Sequence, residues 1–189
     1  GRVEIGPGTY TDVAGQINAN QDGQTIVGTG GPGTVIIKTA APLLVTNNDV
    51  TLDGITFSPG AAGTLVSVVG DRATITNSNF TAGASTTYLV NVTATGDNVT
   101  VSNSTFDTTH AAIGQEGIEV NVAKATLTDN TYNVGAGDEG ICLYGNTAIS
   151  GSTLTGSSGT GVHVTAGISA TIDDSSFMTL NTAVNNVNG

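Results

Sequence analysis

Residues 50–57 read VTLDGITF, and near-copies follow as ATITNSNF at 73–80, VTVSNSTF at 99–106, ATLTDNTY at 125–132 and ATIDDSSF at 170–177. The third place of the phrase is always aliphatic: Leu52, Ile75, Val101, Leu127 and Ile172. The looser copies TAISGSTL and GQTIVGTG put Ile149 and Ile26 in the same slot. From Ile26 onward the intervals are 26, 23, 26, 26, 22 and 23 residues, too short for a βαβ unit of ~30 residues. Apolar and polar residues alternate with a period of two, which marks strands with one buried face.

A second strand recurs in each interval: TLVSVV at 64–69, YLVNVT at 88–93, GIEVNV at 117–122, GICLYG at 140–145 and GVHVTA at 161–166. Two or three short strands per repeat, with Gly and Asn between them, predict an all-β fold. The expected architecture is a single-stranded parallel β-helix of about 7–8 coils, 22–26 residues each, running through residues 1–189 as one domain. With ~4.8 Å between coils the rod would be roughly 35–40 Å long.

Two further columns support this register. Five places after the aliphatic slot stand Phe57, Phe80, Phe106, Tyr132, Leu154 and Phe177. A sugar-stacking platform is one use for such a column; a stack inside the coil is the simpler one, because every coil fills the position. Two places after the slot come Gly54, Asn77, Asn103, Asp129, Gly151 and Asp174. These residue types tolerate a left-handed corner, and stacked Asn side chains can also bond from coil to coil.

The opening VEIGPGTYTD…DGQTIVGTGGPGTVI resembles the first coil of the pectin-lyase-like superfamily of right-handed parallel β-helices, and the repeats extend the likeness over nearly the whole chain. The resemblance implies the fold. It does not imply one activity, since that superfamily includes lyases, esterases, polygalacturonases, epimerases, tailspikes and adhesins. The polygalacturonase motifs and the esterase site motifs are absent here, although Gly8-Thr9-Tyr10 matches an esterase Gly-x-Tyr in the scaffold. Lyases of the superfamily usually use Arg or Lys beside calcium-binding acids, and this chain has only Arg2, Arg72, Lys38 and Lys124. No catalytic residue is carried over, so a non-catalytic surface or virion-type member is the reading that follows.

Acidic residues outnumber basic ones 15 to 4, for a formal charge of −11. Such a chain repels a phosphate backbone, so nucleic acid is not an expected partner. No apolar run approaches the ~18 residues of a helical membrane span, and no membrane insertion is expected. The single cysteine, Cys142, gives no intrachain disulfide. The sequence opens at Gly1 rather than Met and reads as a segment of a larger protein of the extracellular space, cell surface or virion surface. Its last coil, FMTLNTAVNNVNG, lacks a recognisable cap. A capping domain, a partner subunit or a homo-oligomer contact is therefore expected at a coil end.

One face draws attention. Alternation turns Ile118, Val120, Ile141, Leu143, Val162 and Val164 inward, and so sends Glu119, Cys142 and His163 outward in one column. Asn121, Tyr144 and Thr165 follow in the next column, while Glu116, Asp138 and Glu139 form an acidic corner. Glu119 and His163 stand two coils apart, ~10 Å, too far for a direct acid–base pair. The candidate ligand-binding set is Glu116, Glu119, Asn121, Glu139, Tyr144 and His163. It suits a polysaccharide or cell-surface glycan. No cofactor is implied, beyond a weakly held cation such as calcium.

Three functions follow, in this order: a structural or adhesive, glycan-binding surface module; a polysaccharide-active enzyme using the 116–163 face; and an ice-binding protein. The third rests on the outward column Thr25, Thr51, Thr74, Thr100, Thr126, Ala148 and Thr171, which Val27, Asp53 and Asp173 interrupt alongside. Thr is favoured on any pleated surface, which explains the column without ice.

Overall fold

Each repeat phrase folds into two short strands joined by a sharp corner, and a third strand completes the coil. The computed structural model describes residues 1–12, 18–59, 63–93, 97–110, 113–122 and 124–187. Its strands form three parallel sheets of eight, each ordered by coil. The first sheet runs from Arg2–Ile5 to Ala170–Asp173, the second from Gly8–Asp12 to Ser176–Met178, and the third from Asn18–Ala19 to Thr182–Asn186. No helix occurs among the described residues. The architecture is the expected parallel solenoid, with three strands in each coil.

The register is that of the sequence columns. Ile26, Leu52, Ile75, Val101, Leu127, Ile149 and Ile172 pair in succession on the first sheet. All are buried except Ile172, which is only partly covered. The second sheet carries the aromatic column. Phe57, Phe80, Phe106 and Tyr132 stack inside the coil with ring centroids 5.1, 4.9 and 4.8 Å apart and planes within 8–10°. The column is core, and such pairs add ~0.5–1.5 kcal/mol each beyond burial.

The corner column is left-handed throughout: φ is +70° at Gly54, +49° at Asn77 and Asn103, +54° at Asp129, +59° at Gly151 and +44° at Asp174. Of the coil-to-coil bonding expected of its Asn side chains, Asn77 makes one bond, to Asp53 at 2.8 Å, and a longer ladder lies one residue further on. A left-handed residue points its side chain to solvent, and the following residue turns inward beneath the corner. That position holds Ser78, Ser104, Asn130, Ser152 and Ser175. Each accepts the backbone N–H of the preceding coil: Ile55 to Ser78, Ser78 to Ser104, Ser104 to Asn130, Asn130 to Ser152 and Ser152 to Ser175, at 3.0–3.3 Å. Each serine also donates to the carbonyl two residues before it. The ladder satisfies backbone groups where the chain passes between sheets and ordinary pairing stops.

In the third sheet the inward residues Ile118, Val120, Ile141, Leu143, Val162 and Val164 are buried as alternation requires. One departure matters below. Leu65 and Leu89 are buried beside Val66 and Val90 in the earlier coils, whereas Gly117, Gly140 and Gly161 take that place in the later ones. A Cβ on Gly117 would stand 2.5 Å from the Gly140 carbonyl, and one on Gly140 would stand 2.8 Å from that of Gly161.

Two substitutions test this packing. Ser104→Ala removes the acceptor of the Ser78 N–H in a buried corner and should lower unfolding free energy by ~1–3 kcal/mol. The Tyr132 hydroxyl is buried and lacks a hydrogen bond of good geometry. Tyr132→Phe should therefore leave stability unchanged or raise it by ~1 kcal/mol. Urea titrations of both variants check these signs.

Candidate functional site

The site lies on the outer face of the third sheet, where strands Tyr88–Val92, Glu116–Val120, Glu139–Leu143 and Thr160–Val164 stack in register. Pairing puts Tyr88, Glu116, Glu139 and Thr160 in one row, and Asn91, Glu119, Cys142 and His163 in another. The rigid ladder holds carboxylates, imidazole and thiol on adjacent coils. Main-chain bonds from Asn121 to Val92 and from Tyr144 to Val120 continue that register into the next column.

The outward residues are not uniformly solvated. Cys142 is 1% exposed and Glu119 is 8% exposed, because neighbours on the same face close over them. Glu119 Oε1 accepts the side-chain amide of Asn91 at 2.9 Å and that of Asn121. The carboxylate is thus clamped between amides. Cys142 lies against Glu116, Glu139 and Tyr144. The phenol ring of Tyr144 stands at the rim, 48% exposed.

His163 finds its acid one coil away. Its Nδ1 lies 2.8 Å from Glu139 Oε1, donating to it when the ring carries its proton there. The separation of Glu119 and His163 by two coils stands, but Glu139 supplies the partner. Sequence reasoning placed Glu139 before the strand; the structure includes it as the first residue of Glu139–Leu143. An extended glutamate side chain then reaches sideways along the sheet, which strand alternation alone does not show.

Asp138 does not belong to the acidic surface corner. It is 2% exposed, and its Oδ1 accepts the backbone N–H groups of Gly114 and Gln115 at 2.9 and 3.0 Å. This buried carboxylate ties the turn before Glu116 to the turn before Glu139, and so fixes the spacing of the two glutamates. His110 stands apart in an exposed loop, 3.6 Å from Asp107. Arg72 is a left-handed corner residue with a two-point ion pair to Asp49, at 2.7 and 2.8 Å.

Glu116, Glu139, Cys142, Tyr144 and His163 line a cavity of about 230 Å³ together with Gly114, Gln115 and Gly137. Its electrostatics follow from burial among like charges. The Glu116 carboxyl is pushed up to about 7, first by burial and then by the Glu119 and Glu139 carboxylates. Burial, then Glu116 and Glu139, pushes the Cys142 thiol up strongly. Tyr144 is raised to about 12, chiefly by its interaction with Cys142. Tyr88 moves upward through burial and then through the charges of Glu119 and Glu116. Glu116 Oε2 is buried without a protein partner.

The threonine column also holds its register, outward on the first sheet, from Thr25 through Thr51, Thr74, Thr100 and Thr126 to Ala148 and Thr171. Ala148 opens a shallow depression of about 330 Å³ lined by Lys124, Asn146 and Thr171. In the neighbouring column Ser102 bonds Thr76 at 3.1 Å and Asn77 bonds Asp53 at 2.8 Å. Part of that polar surface is therefore engaged with itself.

The family model described as a right-handed beta helix region matches residues 17–177. No curated protein and no solved structure matches the chain at a level that shows kinship.

Glu116 makes stability depend on pH. Its folded pKa of about 7 lies above the ordinary 4.5, so the folded chain holds a proton that the unfolded chain has released. Stability is then fullest below 4.5 and falls as pH rises from 4.5 through about 7. Glu116→Gln should remove that fall. Urea midpoints of the two proteins across pH about 4 to 8, in the presence of a chelator, should converge at the acid end and separate at the alkaline end.

Proposed function

The chain belongs to the right-handed β-helix family, and on that premise we propose a surface module of an extracellular, cell-envelope or virion protein that binds uncharged glycans on its 116–163 face. One observation carries the reading. The half-exposed ring of Tyr144 sits one coil from Asn121, whose amide is held by the clamped Glu119 carboxylate. Sugars are recognised by an aromatic face against their C–H groups and by oriented planar polar groups on their hydroxyls. Both are present here on a rigid sheet, where little ordering is needed on binding. With a net charge of −11 and three glutamates on the face, neutral sugars suit it better than uronic acids.

A second reading, a polysaccharide-cleaving enzyme, has one observation in its favour. Glu116 lines the cavity beside Glu139 and keeps a carboxyl oxygen that no protein group engages. Paired carboxyls are the equipment of glycoside hydrolysis.

Calorimetric titration with a panel of neutral oligosaccharides separates the two readings. Binding should weaken ~10-fold or more, a loss of ~1.4 kcal/mol, in both Tyr144→Ala and Asn121→Ala, with no soluble fragments released. Binding that both variants leave unchanged would overturn the module reading. Fragments that disappear in Glu116→Gln would replace it with the enzyme.

A further inference from the structure

We propose that Glu139, Cys142 and His163 form a binding site for a borderline divalent cation of the zinc class, with Glu116 closing the set. The site does not rest on glycan recognition and shares only the face with it. A carboxylate oxygen of Glu139, the Cys142 sulfur and a ring nitrogen of His163 all lie within 4.8 Å of one another. The shortest approach, from His163 Nδ1 to Glu139 Oε1, is 2.8 Å. Zinc bonds of ~2.0–2.3 Å set ligand atoms roughly 3.3–3.7 Å apart along the edges of a tetrahedron. Side-chain shifts of ~1 Å bring the three atoms to that spacing, and the backbone can stay where the sheet holds it.

The donor set selects the ion. Nitrogen, sulfur and oxygen together suit zinc and its neighbours, whereas calcium takes six to eight oxygens. The three ligands come from two adjacent strands, Glu139–Leu143 and Thr160–Val164, locked by parallel pairing from Glu139 to Val164. Glu116, on the preceding coil, lies against Cys142 and leaves Oε2 buried without a partner. It can supply the fourth ligand. The cavity of about 230 Å³ that these side chains line gives the ion its way in.

A cation also accounts for an otherwise costly arrangement. Two glutamates are stacked directly, Glu116 over Glu139, beside a thiol that is almost fully enclosed. Like charges in register on a parallel sheet repel, and a divalent ion between them turns the repulsion into ligation. On binding, the thiol gives its proton to solvent, as does the Glu116 carboxyl where it holds one, and the sulfur lone pair forms the bond to the metal. No oxidant or reductant takes part.

The test uses the whole chain, kept reduced, stripped with chelator and dialysed against Zn²⁺ or Co²⁺. One Zn²⁺ per chain should be retained, and Tm should rise by several degrees. Co²⁺ should produce the near-ultraviolet absorption of a thiolate–cobalt bond. Cys142→Ser, which keeps the shape of the buried side chain, should abolish that absorption and weaken Zn²⁺ binding ~100-fold or more. His163→Ala and Glu139→Gln, at partly exposed positions, should weaken it comparably while the circular dichroism of the stripped proteins matches the parent. Failure of the parent to retain Zn²⁺ would overturn the proposal. So would binding that survives Cys142→Ser and His163→Ala, or that excess Ca²⁺ displaces, since surface carboxylates alone would then account for it.

Discussion

Parallel, in-register pairing of each coil with the next is the constraint from which the rest of this molecule follows. Strands ~4.8 Å apart place each side chain over its equivalent, so a residue type recurs down a column where it stacks well on its neighbours. Aromatic rings do so face to face, from Phe57 to Tyr132. Serines beneath the corners do so by accepting from one coil and donating within their own. Asn, Asp and Gly do so by sharing a left-handed backbone. Carboxylates do so badly. The stacked pair Glu116 and Glu139 is therefore a departure from the rule by which the chain is built.

That departure coincides with others. The inward leucines of the third sheet, Leu65 and Leu89, give way to Gly117, Gly140 and Gly161 in the coils that carry the glutamates, thiol and imidazole. There the sheet lies against the second: a Cβ on Gly117 would come within 3.4 Å of the Tyr132 ring, and one on Gly140 within 3.3 Å of Leu154. Local departures from a repeat commonly mark sites where function competes with packing. The buried Asp138 belongs to the same construction, since its carboxylate joins the turns that present the two glutamates.

The face that results is rigid, acidic and chemically mixed. Its scaffold needs little rearrangement to receive a ligand, because each side chain projects from a strand paired on both sides. The proposed glycan contact uses Tyr144 and Asn121, whereas the proposed metal site uses Glu139, Cys142 and His163. The two proposals draw on neighbouring groups and not on the same atoms.

Fold and register were legible in the sequence because the coil repeats: a residue such as Leu52, Phe57 or Gly54 meets its own counterpart, and periodicity reports such meetings directly. The outward placement of Glu119, Cys142, Tyr144 and His163 was legible for the same reason, through alternation along the strand. The serine ladder is visible in the sequence as a column, but its value depends on which way the residue after a left-handed corner turns. The pairing of His163 with Glu139, the enclosure of Cys142 and the burial of Asp138 were beyond any periodic reading. These depend on how far and in which direction individual long side chains reach, and on what covers them. Order along the chain determined which residues stack; only the packed coils decided which of them touch.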